Sequence, residues 1–373
     1  MAESTRLVDV VQERIDRFLE RQRPALHGIA PDLDPFALYP SDLLRGGKRF
    51  RALFCYWGWQ SVAGLDTGFD PLGEARDERE IDAVMTASAG LEFFHAAALV
   101  HDDIMDNSDT RRGLPAAHRR FESLHRDGGW LGSPEAFGRS GALLMGDLLL
   151  AWSDELLSEA LDSLPSREAA RSSRAELNRM RTEVTVGQYL DILEENAWRT
   201  ADEQQLLPRA QRVIVYKSAK YSVEAPLTVG AAMAGGDADA LESLRHFGLP
   251  LGIAYQLRDD MLGVFGDPSV TGKPAGDDLR EGKRTVLVAT ARRTLPPGAV
   301  RLLDELLGDP ELDDDQIRML QATLRESGAV DTVEQTITDQ VERAVHALER
   351  SHLAPSARTQ LSRLAETVTR RTY

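Results

Sequence analysis

The run His101-Asp102-Asp103-Ile104-Met105-Asp106 closes a long apolar stretch with three carboxylates. On a helix, Asp102 and Asp106 share a face four residues apart, with Asp103 beside them. Like charges so close repel, so the cluster calls for positive charge. Hard divalent cations, above all Mg²⁺ carrying substrate phosphates, suit an all-oxygen donor set. Taken alone, the same pattern also describes a solvated helix end.

A second pair, Asp259-Asp260, follows another apolar run in GIAYQLRDDMLGVFGD. Two such clusters at the mouths of apolar helices can face each other across a bundle and hold metal between them. Asp267, between Gly266 and Pro268, reads as a turn residue. Cations accompany the acids: Lys48, Arg49 and Arg51 after a Gly pair, Arg111-Arg112-Gly113 after the first cluster, and Lys217, Lys273 and Lys283 near Ser, Gly or Asp. Arg forks and Lys point charges are what phosphate oxygens require. Each cation alone reads as a solvated surface charge. Together with two acid clusters and apolar helices, they point to a diphosphate head on a hydrocarbon tail.

The elements that must position these groups are helical. Leu7, Val10, Val11, Phe18 and Leu19 share one face of a first helix. Amphipathic or apolar helical runs recur at 45–60, 81–107, 141–163, 168–198, 208–234, 237–266, 284–294, 299–307, 315–327, 331–351 and 355–371. Alternating strand patterns are absent, and Val213-Ile214-Val215 reads as helix. Pro and Gly collect between the runs; 64–80 and 311–316 read as solvated connections. The expectation is one all-α domain over 1–373, about a dozen helices in a single large bundle around a central apolar cavity.

Composition narrows the classes. The 373 residues carry 44 Lys plus Arg against 60 Asp plus Glu, a net charge of −16, which argues against nucleic-acid binding. Cys55, the single cysteine, rules out an internal disulfide framework and reads as core in Phe54-Cys55-Tyr56-Trp57. No stretch reads as long and apolar enough to span a membrane, and the charged N-terminus lacks a signal-peptide core. A cytoplasmic protein is expected.

Seven segments then carry a family resemblance in order: GGKRFR (46–51), HAAALVHDDIMDNSDTRRG (95–113), GD (146–147), GQYLD (187–191), YKSAKYS (216–222), YQLRDD (255–260) and GKPAGDDLREGKRT (272–285). Over nearly its whole length the chain resembles the trans-isoprenyl diphosphate synthases, the polyprenyl synthetase family, and among them bacterial geranylgeranyl diphosphate synthases. The resemblance implies that Asp102, Asp106 and Asp259 ligate Mg²⁺, supported by Asp103 and Asp260, with three ions when substrate is bound and Mn²⁺ left open. It implies Arg111, Lys217 and Lys273 on an allylic diphosphate, and Lys48, Arg51, His95 and Arg112 on isopentenyl diphosphate. Gln256 would sit near the metal-bound diphosphate. Gly263 stands where the family often has a third Asp. Ser218 replaces a common Thr and Tyr255 a common Phe. The family is usually homodimeric.

The implied activity is prenyl transfer by ionisation, condensation and elimination, with the released diphosphate as base. Ala98 would lie about 6 Å and Phe94 about 12 Å below Asp102 along the helix. With Ala97 and Ala98 leaving that layer open and Phe94 as floor, geranylgeranyl diphosphate is the expected product; farnesyl or longer products remain the alternative. Met145 or Leu149 could supply the floor instead. Two rivals stand: a class I terpene cyclase, whose second motif would differ from Asp259-Asp260-Met261-Leu262-Gly263, and a non-catalytic partner subunit, which intact clusters disfavour. His118 and His125 read as polar contacts, and Arg370 and Arg371 as a solvated tail.

Overall fold

Polar caps open the long helices. Ser133, Ser166 and Asp237 each accept a hydrogen bond from the backbone N–H three residues on, satisfying donors that a helix start leaves orphaned. Asp313 and Gln316 complete a reciprocal capping box. The computed structural model describes residues 2–64, 78–267 and 276–369; Lys273, Arg370 and Arg371 lie outside them.

The fold is all-α, as expected. In chain order it runs α1 (Ala2–Ile29), α2 (Asp34–Leu43), α3 (Phe50–Ala63), α4 (Glu78–Met105), α5 (Ala117–Asp127), α6 (Pro134–Asp162), α7 (Arg167–Ala197) and α8 (Glu203–Val213). A π-helical segment, Ile214–Glu224, leads into α9 (Ala225–Met233) and α10 (Ala238–Phe265). Then come α11 (Asp277–Glu281), α12 (Val286–Arg292), α13 (Pro297–Leu306), α14 (Asp314–Glu326), α15 (Ala329–Glu349) and α16 (Pro355–Thr369).

Three local departures from the sequence reading matter for the site. The helix expected from 45 begins only at Phe50, because Gly46, Gly47 and Arg49 take φ of 71°, 93° and 50°. A two-residue ribbon pairs β1 (Thr110–Arg111) with β2 (Leu114–Pro115). Its turn residues, Arg112 and Gly113, both have positive φ, as tight hairpin turns of the primed types require. The helix expected over 208–234 is present but widens to i→i+5 bonding at 214–224. Pro226 has no N–H to offer the Ser222 carbonyl, which loosens the tighter ladder there.

α4 forms the centre. Residues 83–94 are buried without interruption, so this helix has no solvent face, as a core helix should not. It packs along α6, while α3 packs on α9 and α10 on α15 and the π segment. Phe18, Phe93 and Trp152 meet edge to face at 5.1 and 6.0 Å where α1, α4 and α6 converge. A second apolar cluster joins the end of α10 to α12, α14 and α15. The expectation that no segment could cross a membrane needs correcting. Among the described residues α4 is long and apolar enough, but 83% of its most apolar window is buried inside the bundle, where it serves as core.

Candidate active site

The ends of α4 and α10 open onto a cavity of about 1090 Å³. Its wall includes Ala98, Leu99, Val184, Val213 and Ile214 beside the charged groups. Asp102, Asp259 and Asp260 all line it, with Lys48, Arg51, His95, Arg111, Arg112, Lys217, Ser218 and Gln256. The structure thus gathers into one cavity side chains that the sequence scatters over more than two hundred positions.

Every acid of the first cluster has a cation. Lys217 Nζ lies 3.0 Å from Asp102 Oδ1 and also pairs with Asp191. Arg111 binds Asp103 through Nε at 2.9 Å and approaches Asp102 at 3.6 Å. Lys283 Nζ stands 3.2 Å from Asp106 and 2.7 Å from Glu281. Gln188 donates to Asp102 at 3.0 Å. Burial alone would raise the Asp102 carboxyl, but Lys217, Lys283 and Arg111 outweigh it and hold that group well below the usual carboxylate range. Asp106 goes the other way: burial and the Asp102 charge raise it despite Lys283.

The second cluster is richer in acid. Asp260 is buried and pushed up to about 8, first by burial and then by Asp278, against a hydrogen bond from Gln256 at 2.7 Å. A Cβ at Gly263 would overlap the Asp278 carboxylate. The absent third acid of this cluster is therefore replaced in space by a carboxylate from α11. Glu195, one turn beyond Asp191, is raised to about 7 by burial and by Asp191 and Asp106. The Asp106–Lys283 contact falls short of hydrogen-bond geometry, leaving Asp106 Oδ2 buried without a hydrogen-bond partner. Partly buried carboxylates at the ends of two helices lining one cavity are the donor type that a hard divalent cation takes.

A different wall faces them. Arg51 donates to Ser222 at 2.7 Å and lies 4.5 Å over the Tyr221 ring. Arg112 donates to the Leu43 carbonyl at 2.9 Å and flanks Gly47. His95 is held well below its ordinary value by burial, then by Arg51, Arg112 and Arg111, so its imidazole is neutral. Burial keeps the Tyr221 phenol protonated, pushed up to about 12. With Nδ1 of His95 at 2.9 Å from that hydroxyl, the arrangement satisfying both is Tyr221 donating to Nδ1, which leaves Nε2–H on the histidine.

Two groups of expected residues fare differently. Lys273 is outside the described residues. Of the chain-length set, Ala98 lines the cavity, whereas Ala97 is fully buried and Phe94 sits behind the wall, its ring 5.8 Å from Tyr221. Cys55 is buried core, its thiol pushed up to about 12 by burial.

Sequence reasoning assigned no role to Gln188, Asp191, Asp278, Glu281 or Tyr221. A signal existed for the first two: they lie on one helix face within GQYLD. What it lacked was register. Gly187 lets α7 approach so closely that a Cβ would strike the Tyr216–Lys217 backbone, and this contact delivers Gln188 and Asp191 to Lys217. Gly252 does the same for α10 against Ala219.

Residues 38–324 match the polyprenyl synthetase family. A crystal structure of geranylgeranyl pyrophosphate synthase from Corynebacterium glutamicum, complexed with isoprenyl diphosphate and magnesium, superposes with TM-score 0.89 at 39% identity, covering 98% of this chain and 99% of that one. Geranylfarnesyl diphosphate synthase of Aeropyrum pernix is 31% identical over 305 residues, 82% of this chain and 84% of that one. A short chain isoprenyl diphosphate synthase of Methanocaldococcus jannaschii is 33% identical over 239 residues, and the match spans just under two thirds of each, 64% and 65%. The cavity, its facing acid clusters and these likenesses agree: the chain belongs to the polyprenyl synthetase family.

Proposed function

We propose that this protein is a prenyltransferase that condenses isopentenyl diphosphate with an allylic diphosphate, giving all-trans geranylgeranyl diphosphate as main product. The observation that carries the reading is one cavity with two differently built anion walls, one mixing carboxylates with cations and one presenting cations and a neutral histidine. A terpene cyclase handles a single diphosphate and has no use for the second wall.

Asp102, Asp106 and Asp259 would hold the divalent ions, Mg²⁺ and three of them with substrate bound, supported by Asp103 and Asp260. When bound, the metal neutralises charge building on the leaving diphosphate. Arg111 and Lys217 have the reach to release Asp103 and Asp102 and grip the allylic diphosphate, and Lys273 joins them by family likeness. Their fixed charges favour the ionised state without reorganisation. Lys48, Arg51, Arg112 and the Nε2–H of His95 hold isopentenyl diphosphate alongside, so its double bond meets the allylic carbon in one orientation. Ser218 and Gln256 border the space between. The apolar wall around Ala98, Leu99, Val213 and Ile214 excludes water from the allylic cation. The released diphosphate takes the proton lost from the new carbon–carbon unit.

The whole chain, 1–373, would act as one domain, in the cytoplasm, as a homodimer. Leu143 and Leu144 of α6 and Val186 and Tyr189 of α7 are half or more exposed, an apolar surface suited to a second copy. The decisive experiment incubates purified protein and Mg²⁺ with isopentenyl diphosphate plus dimethylallyl, geranyl or farnesyl diphosphate, and reads product length by mass spectrometry. Hydrocarbon release from geranylgeranyl diphosphate alone would establish the cyclase instead.

A further inference from the structure

Arg49 is the odd member of the cation wall. All three border the cavity, but Lys48 is exposed and Arg51 half-buried, whereas Arg49 is only 4% exposed and its guanidinium is held by the protein. Its φ of 50° and ψ of 37° put a residue with a Cβ in the left-handed region, which persists only where the surroundings over-determine it. The surroundings do so. One guanidinium nitrogen donates to Glu92 of α4 at 2.9 Å, and the other to Gln12 of α1 at 2.6 Å and to the Leu44 carbonyl. Both terminal nitrogens are thus spent on protein, and Nε is buried without a partner. The guanidinium is thereby anchored on protein groups at both ends.

These contacts tie the loop that carries Lys48, and the start of α3 that carries Arg51, to the helix that carries His95. Glu92 lies three residues before His95, on the same face of α4. The Arg49–Glu92 pair also neutralises a carboxylate that would otherwise face the isopentenyl diphosphate wall.

We propose that Arg49 is a positioning residue for the isopentenyl diphosphate site: clamped between α1, the Leu44 carbonyl and Glu92, it fixes the chain that aims Lys48 and Arg51 and neutralises the Glu92 carboxylate beside them. The inference rests on the prenyltransferase reading above. It predicts an effect confined to one substrate.

The test measures steady-state kinetics of the full chain with geranyl and isopentenyl diphosphates, alongside thermal melting. Arg49→Gly keeps the left-handed backbone at no steric cost but removes the clamp; KM for isopentenyl diphosphate should rise about tenfold or more, while kcat and KM for the allylic substrate stay within about twofold. Arg49→Lys should recover part of the loss. Gln12→Ala removes one hydrogen bond from outside the cavity and should raise the same KM by about threefold. A folded Arg49→Gly enzyme with unchanged KM for isopentenyl diphosphate, or with both KM values raised equally, overturns the proposal. If Arg49→Gly does not melt cooperatively, Gln12→Ala decides: a selective rise supports positioning and an unchanged KM rejects it. Wild-type protein that fails to condense the two substrates would instead reject the prenyltransferase reading itself.

Discussion

The two walls of the cavity hold the same kind of charge in opposite ways. On the α4–α10 side, acids are placed beside cations: Asp102 with Lys217, Asp103 with Arg111 and Asp106 with Lys283, while at Asp260 burial and the Asp278 charge outweigh Lys283. On the α3 side the cations dominate, and Glu92 is bound by Arg49. The difference is what the proposed chemistry demands. One diphosphate must become a leaving group, so its site needs carboxylates that recruit metal. The other must keep its bond to carbon, so direct cations suffice to hold it. Ground-state grip and charge stabilisation in the transition state are separate tasks, and here they occupy separate walls.

The sharpest break is Asp102→Ala. It strips the acid that Lys217, Arg111 and Gln188 all contact, so kcat/KM should fall about a thousandfold or more. Far-ultraviolet circular dichroism should stay helical. Substantial Mg²⁺-dependent condensation in that variant would remove the first cluster from the mechanism. Next in size is metal removal followed by calorimetry. With EDTA, binding of a non-reactive thio analogue of the allylic substrate should weaken about a hundredfold, whereas isopentenyl diphosphate should bind within about threefold of its metal-loaded affinity. Equal loss for both would erase the distinction between the walls. Arg51→Ala should then raise KM for isopentenyl diphosphate about tenfold to thirtyfold with allylic KM nearly unchanged.

Much of this was readable because the acids and cations lie in short motifs whose spacing alone defines a helical face. Asp102 and Asp106 need no tertiary information to be seen together. Asp278 does: its carboxylate stands against Gly263, and no local pattern announces that an acid fifteen positions on fills the gap. The π segment was invisible for another reason. Its sequence has the propensity and polarity of ordinary helix, and only the close approach of Gly187 and Gly252 and the missing N–H of Pro226 distinguish it. Phe94 shows the same limit at the apolar end. Helical rise speaks only to its depth, whereas it is Tyr221 of the π segment, packed against the Phe94 ring, that lines the cavity. If product length is set here, Tyr221 sets it together with Phe94, and Phe94→Ala should lengthen products only as far as Tyr221 can fall back into the vacated space. An unchanged product profile would remove Phe94 from the wall's support.

The smallest effect is the pH dependence of stability that the cation wall imposes. His95 is neutral in the folded protein because burial and Arg51, Arg112 and Arg111 disfavour its charge. In the unfolded chain it titrates near its ordinary value of about 6.5. Between that value and the lower folded one, the unfolded state binds the extra proton. Stability therefore rises with pH through this window, and it is lost as pH falls below about 6.5. Each such group contributes a slope of at most about 1.4 kcal/mol per pH unit. His118, likewise depressed by burial and Arg119, adds its own share, so His95→Gln should flatten the acid limb of a denaturant-midpoint series by one group rather than abolish it. A slope unchanged in His95→Gln would mean that His95 is charged in the folded state. The cation wall would then carry one more positive charge than its geometry implies.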